Sequence, residues 1–472
     1  MHARNTLLCF AWLVCLAGCA SRRAPAAHER GQEIEISPAQ RAERFDARTL
    51  RDPGLRQFLE ENLGRVPPEP WDFETLCWVG FYFHPALQLA RAQWATAHAA
   101  QTTANARPNP TLTLTPGFDS TRTPGLSPWM PSINFDFLFP TSGKRGIQQS
   151  ITAWEAESAR LAVLSTAWQL RSELRRALID ISMARRRETI ARAQLETQRR
   201  IGALMEQRFV VGSISATEVS TARTTLFRAE AAAADAAGQS TIARARVAAA
   251  LGLPMSALES VALPEFPSAP PLSEKILAAA RRESLQTRAD ILGALSAFSA
   301  ARAGLQLEVA KRMPDIHLGP GYQWDQGDNK WTLGISFELP IFNRNEGPIA
   351  EARARMVEAL AKFDVTQSQA IASIDQAVAA QRIALQQLKR ARQLRAEVEK
   401  LNRAVQQNHA LGGADEIEVE TAELNTETSD ASVADAENAA ALAAGQLEDA
   451  LQLPFPHVAE IAKRLGQKTE TP

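Results

Sequence analysis

Hydrophobic and polar positions along this chain follow two periods, and each period occurs twice. From Gly347 to Leu411 apolar residues recur at three- and four-residue steps: Met356, Leu360, Phe363, Ile371, Ile374, Val378, Leu385, Leu388, Val398, Leu401 and Val405. Alanines fill the flanks, so the spacing predicts a coiled-coil seam between closely packed helices. Such a helix is about 100 Å long at 1.5 Å per residue. Gly146 to Val211 predicts a helix of nearly the same length. The chain has 26 prolines, yet Thr141–Leu253 and Ile349–Leu453 contain none. A proline inside a helix costs about 3 kcal/mol, so both stretches are free to be helical throughout. Gly212 and Gly412-Gly413 interrupt the pattern, and shorter helices return to Leu253 and Leu453, which makes two helical hairpins. A further alanine-rich helix precedes each strand region, Pro85 to Ala106 and Ala289 to Lys311.

Between these helices the period changes to two. Thr111-Leu112-Thr113-Leu114-Thr115 alternates, as does Ile133 to Phe139 apart from Leu138. Trp331 to Leu339 alternates cleanly and is expected to pair with Ile316-His317-Leu318 and Tyr322-Gln323-Trp324. One apolar and one polar face fits a membrane β-barrel strand, and it also fits a sheet with one dry face. Four strands cannot close a barrel, since closure takes about eight or more, so a spanning structure needs several chains.

The chain is written twice. Ala250-Leu251-Gly252-Leu253-Pro254 returns 200 residues later as Ala450-Leu451-Gln452-Leu453-Pro454. Val211-Gly212 and Thr217 to Ala222 return as Leu411-Gly412 and Ile417 to Ala422 at the same offset, and Arg107 to Leu112 aligns with Lys311 to Ile316 at an offset of 204. Units this long are not solenoid repeats of about 20–50 residues but two copies of one large unit.

The N-terminus reads as an export signal: Leu7 to Leu16 is apolar, and it is too short for a membrane-spanning helix. It ends in Leu16-Ala17-Gly18-Cys19, which resembles the lipobox of bacterial lipoproteins. That resemblance implies a lipidated Cys19 as first mature residue and, with Ala20 following, an outer-membrane destination. Of four cysteines only Cys77 then remains a thiol, and no CxxC or Cys/His metal spacing is present. A net charge of −1 argues against a nucleic-acid partner.

The duplicated layout, the segments Asn109-Pro110 and Met313-Pro314 before the strands, and the returns Phe139-Pro140-Thr141-Ser142-Gly143-Lys144-Arg145-Gly146 and Leu339 to Gly347 together resemble the TolC family of outer-membrane efflux proteins. The resemblance runs from about Trp71 to Pro454. It implies a mainly α fold with a small β part, in which duplicated long hairpins and four amphipathic strands per chain trimerise into a β-barrel and an α-helical tunnel. It also implies an exit duct working with a periplasmic adaptor and an inner-membrane transporter. The Gly-Lys-Arg and Asn-Arg-Asn-Glu-Gly segments are most similar to the branch paired with heavy-metal transporters of the resistance-nodulation-division class; multidrug efflux and type I secretion use the same duct. The expected organisation is a signal peptide (1–18), a lipid-anchored extension (19–70), a first repeat (71–254), a linker (255–287), a second repeat (288–454) and a tail (455–472).

A passive duct needs no nucleophile or general base, no cofactor is expected, and no catalytic constellation is arranged here. His84, His98, His317, His409 and His457 lie at no ligand spacing and are expected at surfaces or helix ends. The candidate chemistry is charge at the hairpin turns. Asp415, Glu416, Glu418, Glu420 and Glu423 crowd the start of the last helix, and Glu218 lies at the matching place in the first repeat. Acids at a helix start complement its dipole, which accounts for one or two of them. In a trimer one carboxylate becomes a ring, and rings of Asp or Glu favour cations. Glu418 is the leading pore candidate, with Glu218 its equivalent and Asp415 and Glu420 as neighbours. A periplasmic adaptor would need only one hairpin, and a coiled-coil lipoprotein would lack the strands.

Overall fold

A computed structural model of the chain describes residues 37–65, 70–121, 125–259, 261–264 and 272–454. The chain divides into two units, the second beginning at Leu50. The described part of the first holds helix α1 (Pro38–Asp46), started by Ser37, whose hydroxyl accepts the Gln40 N–H.

The second unit begins with α2 (Pro53–Leu63), α3 (Phe73–Phe83) and α4 (Pro85–Asn105). Strands β1 (Thr111–Thr115) and β2 (Ser132–Phe139) follow, then α5 (Lys144–Val210) and α6 (Ala216–Leu251). The order is then echoed by α7 (Glu274–Thr287), α8 (Ala289–Ala310), β3 (Ile316–Asp325), β4 (Asp328–Ser336), α9 (Glu346–Ala410) and α10 (Glu416–Leu451). The predicted long helices are therefore present, at 67 and 65 residues. Helix α5 packs on α4 and α6 of its own repeat and on α8 and α10 of the other, while α9 packs on α8 and α10. The helices thus form a row: α4 with α6, then α5, then α8 with α10, then α9.

The seam is drier near the helix middles than toward their ends. Ile374 and Leu388 are buried, yet Leu360 and Leu401 are more than two-fifths exposed in the single chain. Alanines supply much of the contact, among them Ala370, Ala377, Ala384, Ala440 and Ala443. Small side chains let backbones approach closely, so this packing relies on proximity rather than on large interlocking residues.

The main core lies at the middle of α5. Leu174, Leu178 and Ile181 meet Val247 and Leu251 of α6 and Leu76, Val79 and Phe83 of α3. Leu55 and Leu59 of α2, both fully buried, belong to it. Part of the expected lipid-anchored extension therefore packs onto the first repeat. Within the expected linker, α7 does the same for the second repeat, setting Ile276 and Ala280 against Ile374, Ala377, Leu447 and Leu451. Cys77 lies in the first core, and burial pushes its thiol up to about 12, which keeps it protonated and unreactive.

The echoed Ala-Leu-Gly/Gln-Leu-Pro turns show how the copies diverged. Gly252 ends α6 in the left-handed region, with the Phe83 carbonyl oxygen and the His84 Cα each 3.1 Å from where a Cβ would stand. A larger residue would collide with backbone that cannot yield. Gln452 holds the same conformation after α10 at φ 49°, and its side-chain oxygen accepts the Ala289 N–H at 3.2 Å. That bond offsets the strain of a left-handed non-glycine residue, on the order of 1 kcal/mol.

The four strands form one antiparallel sheet in chain order. Where two short segments were expected, β3 is continuous through Gly319-Pro320-Gly321. Its pairing with β4 runs unbroken, but its pairing with β2 skips Phe135 and Asp136, because Pro320 has no N–H to offer. The last predicted strand is shifted, starting at Asp328 and ending at Ser336. The register puts Leu112, Leu114, Ile133, Phe135, Phe137, Leu318, Tyr322, Trp331, Leu333 and Ile335 on one face. Thr113, Asn134, Asp136, His317, Gly321, Thr332 and Ser336 share the other. Gly321 is the tight point of the polar face, where a Cβ would lie 2.1 Å from the Asn134 Oδ1.

Candidate functional site

The two hairpin tips are built alike. Gly212 and Gly412 both turn the chain with φ near +77°. Ser213 N donates to the Arg208 carbonyl at 2.9 Å, and Gly413 N donates to the Asn408 carbonyl at 2.9 Å, so each long helix closes on the same bond. Each returning helix then opens with a capping box. The Ser215 hydroxyl accepts the Glu218 N–H at 3.3 Å while Glu218 Oε2 accepts the Ser215 N–H at 2.7 Å. In the second repeat Asp415 Oδ1 accepts the Glu418 N–H at 2.9 Å, and Glu418 Oε2 accepts the Asp415 N–H at 3.2 Å. Reciprocal bonds of this kind satisfy two otherwise unpaired helix donors. The tips themselves are apolar and open: Val210, Val211 and Leu411 are more than 70% exposed.

Glu218 and Glu418 are thus equivalent, as the spacing from the glycines predicts, and each carries a structural duty as well as a charge. The other two candidates contact the neighbouring repeat. Asp415 lies 3.0 Å from the Arg208 guanidinium of α5. Its carboxyl is held below the ordinary carboxylate value by the Glu418 N–H and by Arg208. Glu420 takes the Arg200 Nε on both oxygens at 2.9 Å. Glu423 accepts from Asn402 of α9 at 3.0 Å. Among the described residues Glu416 alone of the five acids makes no polar contact.

The acids continue up α10, and they alternate between its two neighbours. Glu427 and Asp435 meet Thr197 and Arg187 of α5, and Asp430 meets Arg395 of α9. Glu437 bridges Arg186 of α5 and Arg392 of α9, whose combined charge outweighs burial and holds its carboxyl low. Glu427 differs: burial, with Glu423 and Glu420 nearby, pushes its carboxyl up, and its Oε2 is buried without a partner. Toward the tips, α10 is therefore held by charge more than by apolar burial. The sequence displays the acids; their basic partners on α5 and α9 follow only once the helices are set side by side.

Higher up, the seam becomes buried. Arg175 donates to Glu448 Oε1 and Asp449 Oδ1, each at 2.7 Å, and to the Gly445 carbonyl at 3.2 Å. Arg171 shares Glu448 and lies over the rings of Phe73 and Trp168. The Arg175 and Glu448 side chains are 5% and 7% exposed. The corresponding figures for Arg208 and Asp415 are 38% and 45%. The repeats are thus joined firmly at mid-height and loosely at the tips.

The histidines divide. His84 caps α4, His409 contacts the Ala414 carbonyl within its tip turn, and His98 is exposed on α4. His317 is on the surface as expected, but on the polar sheet face rather than a helix end, with Nδ1 2.9 Å from Asp136 Oδ2. Cys19 and His457 lie outside the described residues. Among the described residues no helix is long and apolar enough to cross a membrane, and no three potential ligands gather to hold a metal.

Duplicated hairpins joined to a four-stranded sheet have known counterparts. The sequence profile of the outer membrane efflux protein family matches residues 83–253 and 280–451. The chain belongs to that family. The two matched stretches hold one strand pair and one hairpin each, so the duplication is a property of the outer membrane efflux protein fold. Solved structures agree. The outer membrane protein VceC from Vibrio cholerae is 20% identical with a TM-score of 0.67, covering 81% of this chain and 96% of that one. The outer-membrane channel OprN is 19% identical with a TM-score of 0.68, covering 81% and 90%. CusC, whose structures concern transmembrane channel formation, is 20% identical with a TM-score of 0.63, covering 80% and 92%. At these identities the likeness is one of fold. No curated protein sequence matches the chain. Membership of the outer membrane efflux proteins places this chain in the outer membrane and its work in transport.

Proposed function

We propose that three copies of this chain form one passive exit duct, with a shared twelve-stranded barrel in the outer membrane and a helical tunnel below it. The observation that carries this reading is the sheet. Its apolar face is open to solvent in the single chain, with Trp331, Leu333 and Ile335 at 80%, 67% and 64% exposure. Its edge strands β1 and β4 have no outer partner among the described residues. In lipid every backbone donor and acceptor must be paired, so β4 of one copy pairs with β1 of the next until the ring closes. Tyr322, Trp324 and Trp331 at one end of the apolar face suit a membrane interface. The exposed residues of α9, including Leu394 and Leu401, are then covered by the α4 and α6 side of a neighbour.

In this reading Cys19 is lipidated after removal of residues 1–18, residues 71–254 and 288–454 are the two repeats, and the tips receive cargo from an adaptor and a resistance-nodulation-division transporter. Native mass spectrometry of the detergent-purified protein is expected to show three chains, each beginning at Cys19 with acyl mass attached. A stable folded monomer would overturn the shared barrel, and an unmodified N-terminus would overturn the anchor.

Heavy-metal cations are the proposed cargo, on the strength of the acidic tips and the resemblance of the turns into α5 and α9. Three copies of Glu418 at one constriction would favour cations. Glu418→Gln keeps the acceptor that caps α10 while removing the charge, so the trimer should be as stable as before. In planar bilayers its cation selectivity and its block by a trivalent cation should both weaken. Unchanged block would leave Glu418 with its capping duty alone.

A further inference from the structure

Where the strands meet the helices, a cavity of about 780 Å³ opens on the polar face of the sheet. Leu138, His317 and Glu338 line one wall, all three in phase with that face. The ends of α4 and α8, the start of α5 and the turn before α9 line much of the rest. Its charge is opposite to that of the tips. Lys144, Arg145, Lys311, Arg312 and Arg344 line it with two carboxylates, Asp315 and Glu338, and Glu308 stands behind Lys311.

Most of these groups are held in place. Lys144 reaches Asp315 at 2.7 Å and the Met313 carbonyl at 2.6 Å, while Lys311 reaches Glu308 at 2.6 Å. Arg312 and Arg344 are exposed and have no ion-pair partner among the described residues. Arg145 spends one nitrogen on the Asn105 carbonyl, but its Nε is buried with no acceptor. Helix α5 also begins without a side-chain cap, after Gly143 in left-handed conformation, so the first-turn amides that Thr141 does not take add donors to the same space. The cavity therefore has donors and positive charge to spare and few acceptors to meet them.

We propose that this cavity binds a phosphate-type oxyanion, held chiefly by Arg312 and Arg344 and completed by the unmatched donors of Arg145 and the start of α5. Planar guanidinium groups match such an anion by paired, charge-assisted bonds. Its place in the lumen rests on the shared-barrel reading, because only there does the polar face line a passage. The binding itself does not, since every group belongs to one chain. Within a duct the site acts as an anion-favouring step in series with the cation-favouring tips.

Calorimetric titration of the full-length, delipidated protein with inorganic phosphate tests the site, and a short-chain phosphatidylglycerol provides a second arm. Saturable binding is expected for phosphate, weakened at least about tenfold in Arg312→Gln/Arg344→Gln and largely restored in Arg312→Lys/Arg344→Lys. Saturable binding by phosphate alone identifies a mobile lumenal anion; lipid competing for the same site identifies a headgroup. Both substituted residues are exposed, so the variants should keep the parent melting temperature and oligomeric mass, and those two measurements read the duct separately. No binding in either arm, or equal binding by the glutamine variant, would overturn the site.

Discussion

Arg175→Ala should destabilise the folded protein by about 3–5 kcal/mol, the range for removing one partner of a buried ion pair. The loss comes from what stays behind. Glu448, only 7% exposed, would keep Arg171 but lose its more deeply buried partner in the dry seam, and Asp449 and the Gly445 carbonyl would lose their donor. The long aliphatic part of Arg175 also fills space against Gly445, where even a Cβ would stand 3.1 Å from its Cδ. Arg187→Ala is the control. That residue pairs with Asp435 on the same two helices, but the partners are 58% and 52% exposed, and such pairs contribute about 0–1 kcal/mol. Arg175→Met/Glu448→Met should recover only part of the loss, because it removes both charges of the pair yet leaves Arg171 with Glu74 alone, 3.8 Å away. Equilibrium unfolding of the detergent-solubilised protein measures all three. Equal effects from Arg175→Ala and Arg187→Ala would show that burial at mid-height does not strengthen this joint.

The same contrast bears on movement. Between α5 and α10 the pairs near the tips are half-exposed and few apolar side chains accompany them, so little burial is lost if that end parts. At the level of Arg175 the seam is dry and closed by the first core. A helix held in this way can swing at its tip while its upper end stays fixed, and this is the distribution a gated duct needs. If the tips part in an assembled duct, Arg200–Glu420 and Arg208–Asp415 are the contacts that must break, and exposed pairs of this kind cost only about 0–1 kcal/mol each.

Much of this architecture was legible from the chain because proline, glycine and period are local signals. Proline-free spans marked α5–α6 and α9–α10, and the turn glycines fell where the left-handed residues stand. The continuity of β3 was hidden because Pro320 breaks one ladder while leaving the other whole, which only the register reveals. Leu55, Leu59 and Ile276 escaped notice because α2 and α7 are short and lie in segments crowded with proline. Their importance comes from what they cover, and coverage is not a local property. Likewise Glu418 could be matched to Glu218 by spacing from the glycines, but the partners of Asp415 and Glu420 are 207 and 220 residues away in the chain. The pairing of His317 with Asp136 required the strand register, since neither residue stands near the other in sequence.

The strand alternation makes the sharpest prediction, because adjacent residues should respond in opposite ways. Leu333 and Thr332 are neighbours near the middle of β4, on the apolar and polar faces respectively. If three sheets close into one barrel, Leu333→Arg places a guanidinium against hydrocarbon in every copy. An arginine near the bilayer midplane costs about 2–4 kcal/mol per chain, and the trimer carries three. Outer-membrane recovery and trimer yield should collapse. Thr332→Arg puts the same charge into the water-filled interior, where it stays solvated beside Gly321 and across from the Asn134 side. That variant should insert and assemble, and its signature should be a shift of single-channel conductance and selectivity toward anions. Both variants add one arginine at adjacent positions of the same strand and leave the helices untouched, so the face of the sheet is the main difference between them. Equal tolerance of both substitutions would mean that the apolar face does not meet lipid, and the sheet would then have to bury it against protein.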